Sequence, residues 1–196
     1  KPGGHLAVGT NHEVWTYRDQ PAVAAKIEPT GSHARAYILR KRHVTGDVQI
    51  HEMHYDRDGE LWIVATRFSC LATLDDEHNF VPRWKPNFVT EIAAQDRCHL
   101  NGVAFKDGRP KWVSAFAESD TQQGWRESKA FGGLLIDVDT DEIITRGICM
   151  PHSPRWYRDQ LWVLESGRGS LARVDLATGK LETVVELPGF TRALEF

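Results

Sequence analysis

Residues Cys149 to Asp175 read CMPHSPRWYRDQLWVLESGRGSLARVD, and the rest of the chain repeats their pattern. The apolar run Leu161-Trp162-Val163-Leu164 lies between two turn signals, Arg158-Asp159 and Gly167-Arg168-Gly169. Leu171-Ala172-Arg173-Val174-Asp175 follows at once. Its side chains alternate at period two, as a strand with one buried face requires. Strand, glycine turn, strand reads as a hairpin.

The same unit occurs twice upstream. Trp62 lies in GELWIVAT, Trp112 in RPKWVSAF and Trp162 in DQLWVLES, at a spacing of 50 residues each time. A short element precedes each: His51 to Tyr55, Asn101 to Phe105 and Ser153 to Tyr157. A period of roughly 40 to 50 residues with several short strands per repeat is the signature of propeller blades. The expected fold is therefore all-β, a β-propeller of four-stranded antiparallel blades, with Trp62, Trp112 and Trp162 as blade core.

As one domain, residues 1–196 divide into a partial unit at 1–19, units at 47–84, 99–147 and 148–187, and a partial unit at 190–196. Pro2-Gly3-Gly4 reads as a turn into a hairpin made of Leu6 to Thr10 and Glu13 to Tyr17. Residues 20–46 are weakly patterned and read as loop and strand. Ala117 to Gly132 has no clear periodicity, and a loop of that length is uncommon unless functional or disordered. Three whole units and two partial ones do not close a ring. A six-bladed ring needs roughly 300 residues at this period. The expectation is an incomplete part of such a ring, completed by a missing segment of the same polypeptide. The alternative is a four-bladed ring closed by pairing Phe190–Phe196 with Leu6–Thr10.

Composition narrows the function. Lys and Arg number 24 against 27 Asp and Glu, a net charge of -3 with both signs interspersed. That is not the footprint of a nucleic-acid partner. No apolar run approaches the roughly 20 residues that span a bilayer, so no membrane partner is expected. The three cysteines, Cys70, Cys98 and Cys149, are odd in number and widely spaced. They read as small buried apolar residues in a reducing compartment, which sets the expectation of a cytoplasmic protein.

Cys98-His99-Leu100-Asn101-Gly102, the loop from Glu118-Ser119-Asp120 to Gly124-Trp125-Arg126, Met150 to Trp156 and Leu187 to Arg192 resemble a bacterial family of conserved hypothetical proteins of unknown function. The resemblance covers essentially the whole chain. It implies a longer, six-bladed propeller with no established reaction. More distantly, Glu52, Asn101-Gly102 and the tryptophan strands are similar to gluconolactonase and strictosidine-synthase-like propellers. That likeness implies a divalent metal in the central channel, held by Glu, Asn and Asp. Where those proteins place the aspartate, this sequence has His152 or Ser153.

Inner strands of a propeller line its channel and begin at one mouth. His51, Glu52, Asn101, His152, Ser153 and Arg192 fall at or near those starts, with His54 and His99 close by. Glu52, His54, His99, Asn101, His152 and Arg192 are thus the candidate binding residues. Such a set suits anion binding by Arg192 and the histidines, or a divalent metal at Glu52, His54, Asn101 and His152. His51-Glu52-x-His54 lacks the spacing of a zinc-protease helix. On a regular strand Glu52 and His54 share one face, and His152 and Ser153 point oppositely. Asn101-Gly102 reads equally as a turn. Trp125 and Arg126, of the residue types enriched at binding hot spots, are expected on the same disc face as the mouth. Two functions follow: binding of a ligand or protein at the channel mouth, or metal-assisted hydrolysis of a lactone-like substrate through Glu52, Asn101 and nearby histidines.

Overall fold

The computed structural model describes residues 4–196, so Pro2 and Gly3 of the expected first turn lie outside it. The strands are β1 His5–Gly9, β2 Glu13–Asp19, β3 Tyr37–Val44, β4 Ile50–Tyr55, β5 Leu61–Ala65, β6 Cys70–Thr73, β7 Val81–Trp84 and β8 Leu100–Lys106. They continue as β9 Arg109–Ala115, β10 Gly133–Asp137, β11 Ile143–Ile148, β12 Pro151–Tyr157, β13 Gln160–Glu165, β14 Ser170–Val174 and β15 Leu181–Glu186. One short helix, α1, spans Pro21–Ala24. The expectation of only loop and strand over 20–46 is corrected there: Pro21 pre-sets the helical backbone at the first position, and β3 supplies the strand.

Each sheet is an antiparallel meander. β4-β5-β6-β7, β8-β9-β10-β11 and β12-β13-β14-β15 are four-stranded, and β1-β2-β3 has three strands. The chain is all-β with blades of the expected kind, and the described residues do not close a ring. Phe190 to Phe196 carries no strand assignment and pairs with no sheet. Among the described residues, no helix is long and apolar enough to cross a membrane, which says nothing of β-barrels.

Stacking of the sheets explains the apolar runs in the middle strands. Ile63, Ala65, Cys70 and Ala72 bury one face of the second sheet. Val64 and Leu71 point the other way and join Leu100, Val103, Val113, Leu134 and Ile136 of the third sheet. Leu135 and Trp112 face on toward Leu161, Val163 and Ala172 of the fourth. Period-two alternation persists, but both faces are apolar because both are covered. Each such Val, Leu or Ile contributes about 1.5–3 kcal/mol on burial. The tryptophans serve these interfaces. Trp62 packs between the second and third sheets and Trp112 between the third and fourth, 5.0 Å from Trp156. Trp162 lies on the far face of the fourth, 5.5 Å from Phe196.

Turn chemistry ties neighbouring sheets together. Asp56 Oδ1 accepts the backbone N–H groups of Asp58 and Glu60, both at 2.9 Å, and shapes the β4–β5 turn. Its Oδ2 accepts the Trp62 indole N–H at 3.2 Å and Arg109 of the next sheet at 2.6 Å. Burial alone raises the Asp56 pKa, yet these donors together hold it below the usual carboxylate value.

Candidate functional site at the channel mouth

The inner strands β4, β8 and β12 enter the channel through matching backbone distortions. Gln49, His99 and Met150, one before each strand, are non-glycine residues with φ of 53°, 52° and 49°. Pairing with the second strand then shifts register between Ile50 and Met53, between Leu100 and Gly102, and between His152 and Arg155. A left-handed residue followed by a bulge re-aims the next side chains. The residues re-aimed are His51, Asn101 and His152, each second in its strand. The tail brings a fourth residue to the same place: Arg192 precedes Ala193 at φ 61°, as His152 alone of the three precedes a left-handed residue, Ser153 at φ 48°. The tail runs beside β12. Phe190 meets His152 at 5.5 Å, Glu195 reaches Arg155 at 3.6 Å, and Phe196 stacks on Tyr157 at 4.4 Å.

His51, Asn101, His152 and Arg192 line a cavity of about 460 Å³ together with Glu52, Met53, Ser153, Arg155 and Ala193. Strict alternation therefore fails at the mouth. His51, Glu52 and Met53 all reach one cavity, as do His152 and Ser153, because the bulges break the pleat. Asn101-Gly102 is inner strand and not a turn.

The candidate residues separate by role. Glu52 is committed: Arg155 grips both carboxylate oxygens at 3.1 and 3.2 Å, and the Val103 N–H donates to Oε2 at 2.9 Å. His54 is exposed, stacks on Phe105 at 4.1 Å, and is not among the cavity lining. Partial desolvation by its neighbours nevertheless lowers its pKa, against the pull of the Tyr55 carbonyl. Asn101 is 1% exposed. Its Oδ1 accepts the Ser114 hydroxyl at 2.6 Å, while Nδ2 is buried with no partner. His152 is 2% exposed, and its Nε2 is likewise buried and unpaired. Arg192 is exposed and has no ion-pair partner among the described residues.

The histidine tautomers follow from their partners. His152 Nδ1 faces the Ser166 hydroxyl at 2.7 Å and the Met150 carbonyl at 3.2 Å. A carbonyl only accepts, so Nδ1 carries the proton and Nε2 the lone pair. His51 Nδ1 faces the Gln49 carbonyl at 3.1 Å and Thr66 Oγ1 at 2.8 Å. Thr66 spends its own proton on the Leu100 carbonyl at 2.6 Å, so His51 Nδ1 donates too. His99 Nδ1 donates to Asp96 Oδ2 at 2.9 Å. His51 and His152 thus keep Nε2 as the nitrogen without the proton. Burial, then the charge of Arg192, with smaller repulsion from His51 and His99, pushes the His152 pKa down to about 3. Burial likewise lowers that of His51.

Trp125 and Arg126 lie behind His99. Trp125 is 7% exposed, lies tilted against His99 at 4.3 Å and donates its indole N–H to Asp96 Oδ2 at 2.9 Å. It packs with Phe116, Ala117 and Met150, so the long loop is anchored by a buried tryptophan. Arg126 caps that ring, its guanidinium 4.6 Å from the centroid. Neither lines the cavity. Arg155, which lines the cavity, and Asp96, which holds His99 and Trp125 beside it, are residues that the sequence reading missed. The only linear signals are the three-residue gap from Asp96 to His99 and the place of Arg155 in an inner strand.

Chemically, the mouth offers one uncompensated guanidinium, one unused amide N–H pair and neutral imidazole nitrogens. Among the described residues no group of three His, Cys, Asp or Glu is arranged to hold a metal ion. With Glu52 engaged by Arg155, the donor set at Glu52, His54, Asn101 and His152 does not converge, and no chemical step is derived through a metal.

Over residues 1–196 the chain matches the family described as Domain of unknown function (DUF4915), and it belongs to that family. A search of curated proteins matches none. Among solved structures it is similar to a streptogramin B lyase structure, at 15% identity and TM-score 0.53, covering 96% of this chain and 53% of that one. It is also similar to a catalytically inactive variant of virginiamycin B lyase from Staphylococcus aureus with quinupristin, at 12% identity and TM-score 0.47, covering 93% and 55%. The chain spans about half the length of these structures. The first likeness shows the propeller-like fold.

Proposed function

We propose that this member of the DUF4915 family binds a small polar molecule at the mouth of its channel. One observation carries the reading: Asn101 and His152 both line the cavity, and each keeps one buried polar atom without a partner, the donor Nδ2 and the acceptor Nε2. An unmade buried hydrogen bond costs about 1–3 kcal/mol. A ligand that satisfies both recovers that cost, and a buried network left partly open is where binding is expected. The volume of about 460 Å³ is that of a small-molecule pocket rather than of a protein interface.

Thermal unfolding with a panel of neutral and anionic small polar molecules tests this. The reading expects at least one to raise the melting temperature, with the shift lost in Asn101→Ala and in His152→Gln. A panel without effect, or a shift unchanged in both variants, contradicts it. The metal-assisted hydrolase alternative has less support. Glu52, which it needs as ligand or base, has both oxygens taken by Arg155.

A further inference from the structure

The charge inventory of the cavity narrows the ligand further. Two arginines and one carboxylate line it. Arg155 and Glu52 cancel each other through their paired contacts. Arg192 is left as one positive charge, and its planar fork suits an oxyanion. The histidines add none at neutral pH: burial holds His152 and His51 below their ordinary pKa. Their Nδ1 protons are turned away to Ser166, Met150, Gln49 and Thr66. The nitrogen that His152 leaves unpaired, Nε2, therefore carries a lone pair, which repels an anionic oxygen and accepts from a hydroxyl. Asn101 Nδ2 offers the opposite, a donor for an oxygen that only accepts.

We propose that the ligand is a hydroxy acid bearing a single carboxylate: Arg192 and Asn101 Nδ2 hold the carboxylate, and His152 Nε2 accepts the hydrogen bond of the hydroxyl. One guanidinium balances one negative charge. A phosphate dianion would bring a second charge into a site with no further cation, and burying an unbalanced charge is costly. The inference rests on the cavity being a ligand site and adds the charge and the hydroxyl.

The test compares four probes on the full chain by calorimetric or NMR titration: lactate, propionate, lactamide and inorganic phosphate. Propionate lacks the hydroxyl, lactamide lacks the charge, and phosphate carries more charge than the site balances. Lactate is expected to bind at millimolar concentration or tighter. Propionate should bind about tenfold more weakly, the usual effect of a buried acceptor left unpaired. Lactamide and phosphate should show no saturable binding. Arg192→Gln lies on the exposed tail, where folding is not at stake. It should abolish lactate binding, and Arg192→Lys should restore part of it. Lactamide binding as well as lactate, or phosphate binding better, overturns the inference while the cavity remains a ligand site. Lactate binding undiminished in Arg192→Gln also overturns it. If no probe binds, the inference falls, and if the broader panel also fails, the ligand-site reading falls with it.

Discussion

The pair Glu52–Arg155 joins two inner strands across 103 positions of sequence. Both side chains are mostly buried, so losing one partner strands the other. Arg155→Met should destabilise the chain by about 3 kcal/mol, the lower end for a buried pair because some solvent reaches this one. Adding Glu52→Gln should return part of that loss, and urea unfolding of the single and double variants reads the coupling. Equal, additive losses would mean the pair does not interact. His152 makes a pH prediction. Its folded pKa is lowered to about 3 from 6.5, so the unfolded chain binds the proton first. Its stabilising contribution is fully present above pH 6.5 and is lost as pH falls from 6.5 toward 3. The slope is about 1.4 kcal/mol per pH unit. His152→Gln should flatten the stability curve of that window; an unchanged slope would mean His152 is not buried neutral. From sequence, polar residues at strand starts were legible as a group. Their division was not: that Glu52 is neutralised while Asn101 and His152 stay open depends on Arg155 and Ser114, which no local pattern links to them.

At the level of the strand, the hairpins were legible because covered sheets write apolar alternation into Leu161–Leu164 and its counterparts. The bulges were not. Gln49, His99 and Met150 are not residues that announce a left-handed backbone, at which each costs roughly 1–2 kcal/mol. Period-two reasoning therefore put Glu52 with His54 and set His152 against Ser153. Likewise Pro21–Ala24 is too short for helical periodicity to reveal. Gly102 shows how tightly the inner strands meet. A Cβ there would lie 2.5 Å from Pro154 Cδ and 2.7 Å from Ser114 Oγ. The proline ring cannot yield without moving β12 away from β8. Gly102→Ala should therefore cost about 1–3 kcal/mol, the range for overpacking, and should weaken any ligand of the mouth with it. A variant as stable as the parent would show that β8 and β12 are further apart than described.

Across the whole molecule, the first sheet has three strands and the others four, so β1 has β2 as its one neighbour among the described residues. Amides of His5–Gly9 that point away from β2 should exchange rapidly with solvent. Those of β14, paired on both sides, should be among the slowest. Slow exchange along all of β1 would mean that another strand covers it. The openness of the ring was legible from counting tryptophan units. Residues 190–196, expected as a partial blade unit, lie beside β12 without a sheet of their own and deliver Arg192 to the mouth. The account depends on four positions, His51, Asn101, His152 and Arg192, building one site with a free imidazole acceptor. Proton–nitrogen correlation of the histidine rings near neutral pH tests this most directly. The account predicts that His51, His99 and His152 carry their proton on Nδ1, and that the Nε2 resonance of His152 shifts on saturation with lactate. A His152 protonated on Nε2, or one whose nitrogen is unmoved while lactate binds, would contradict it.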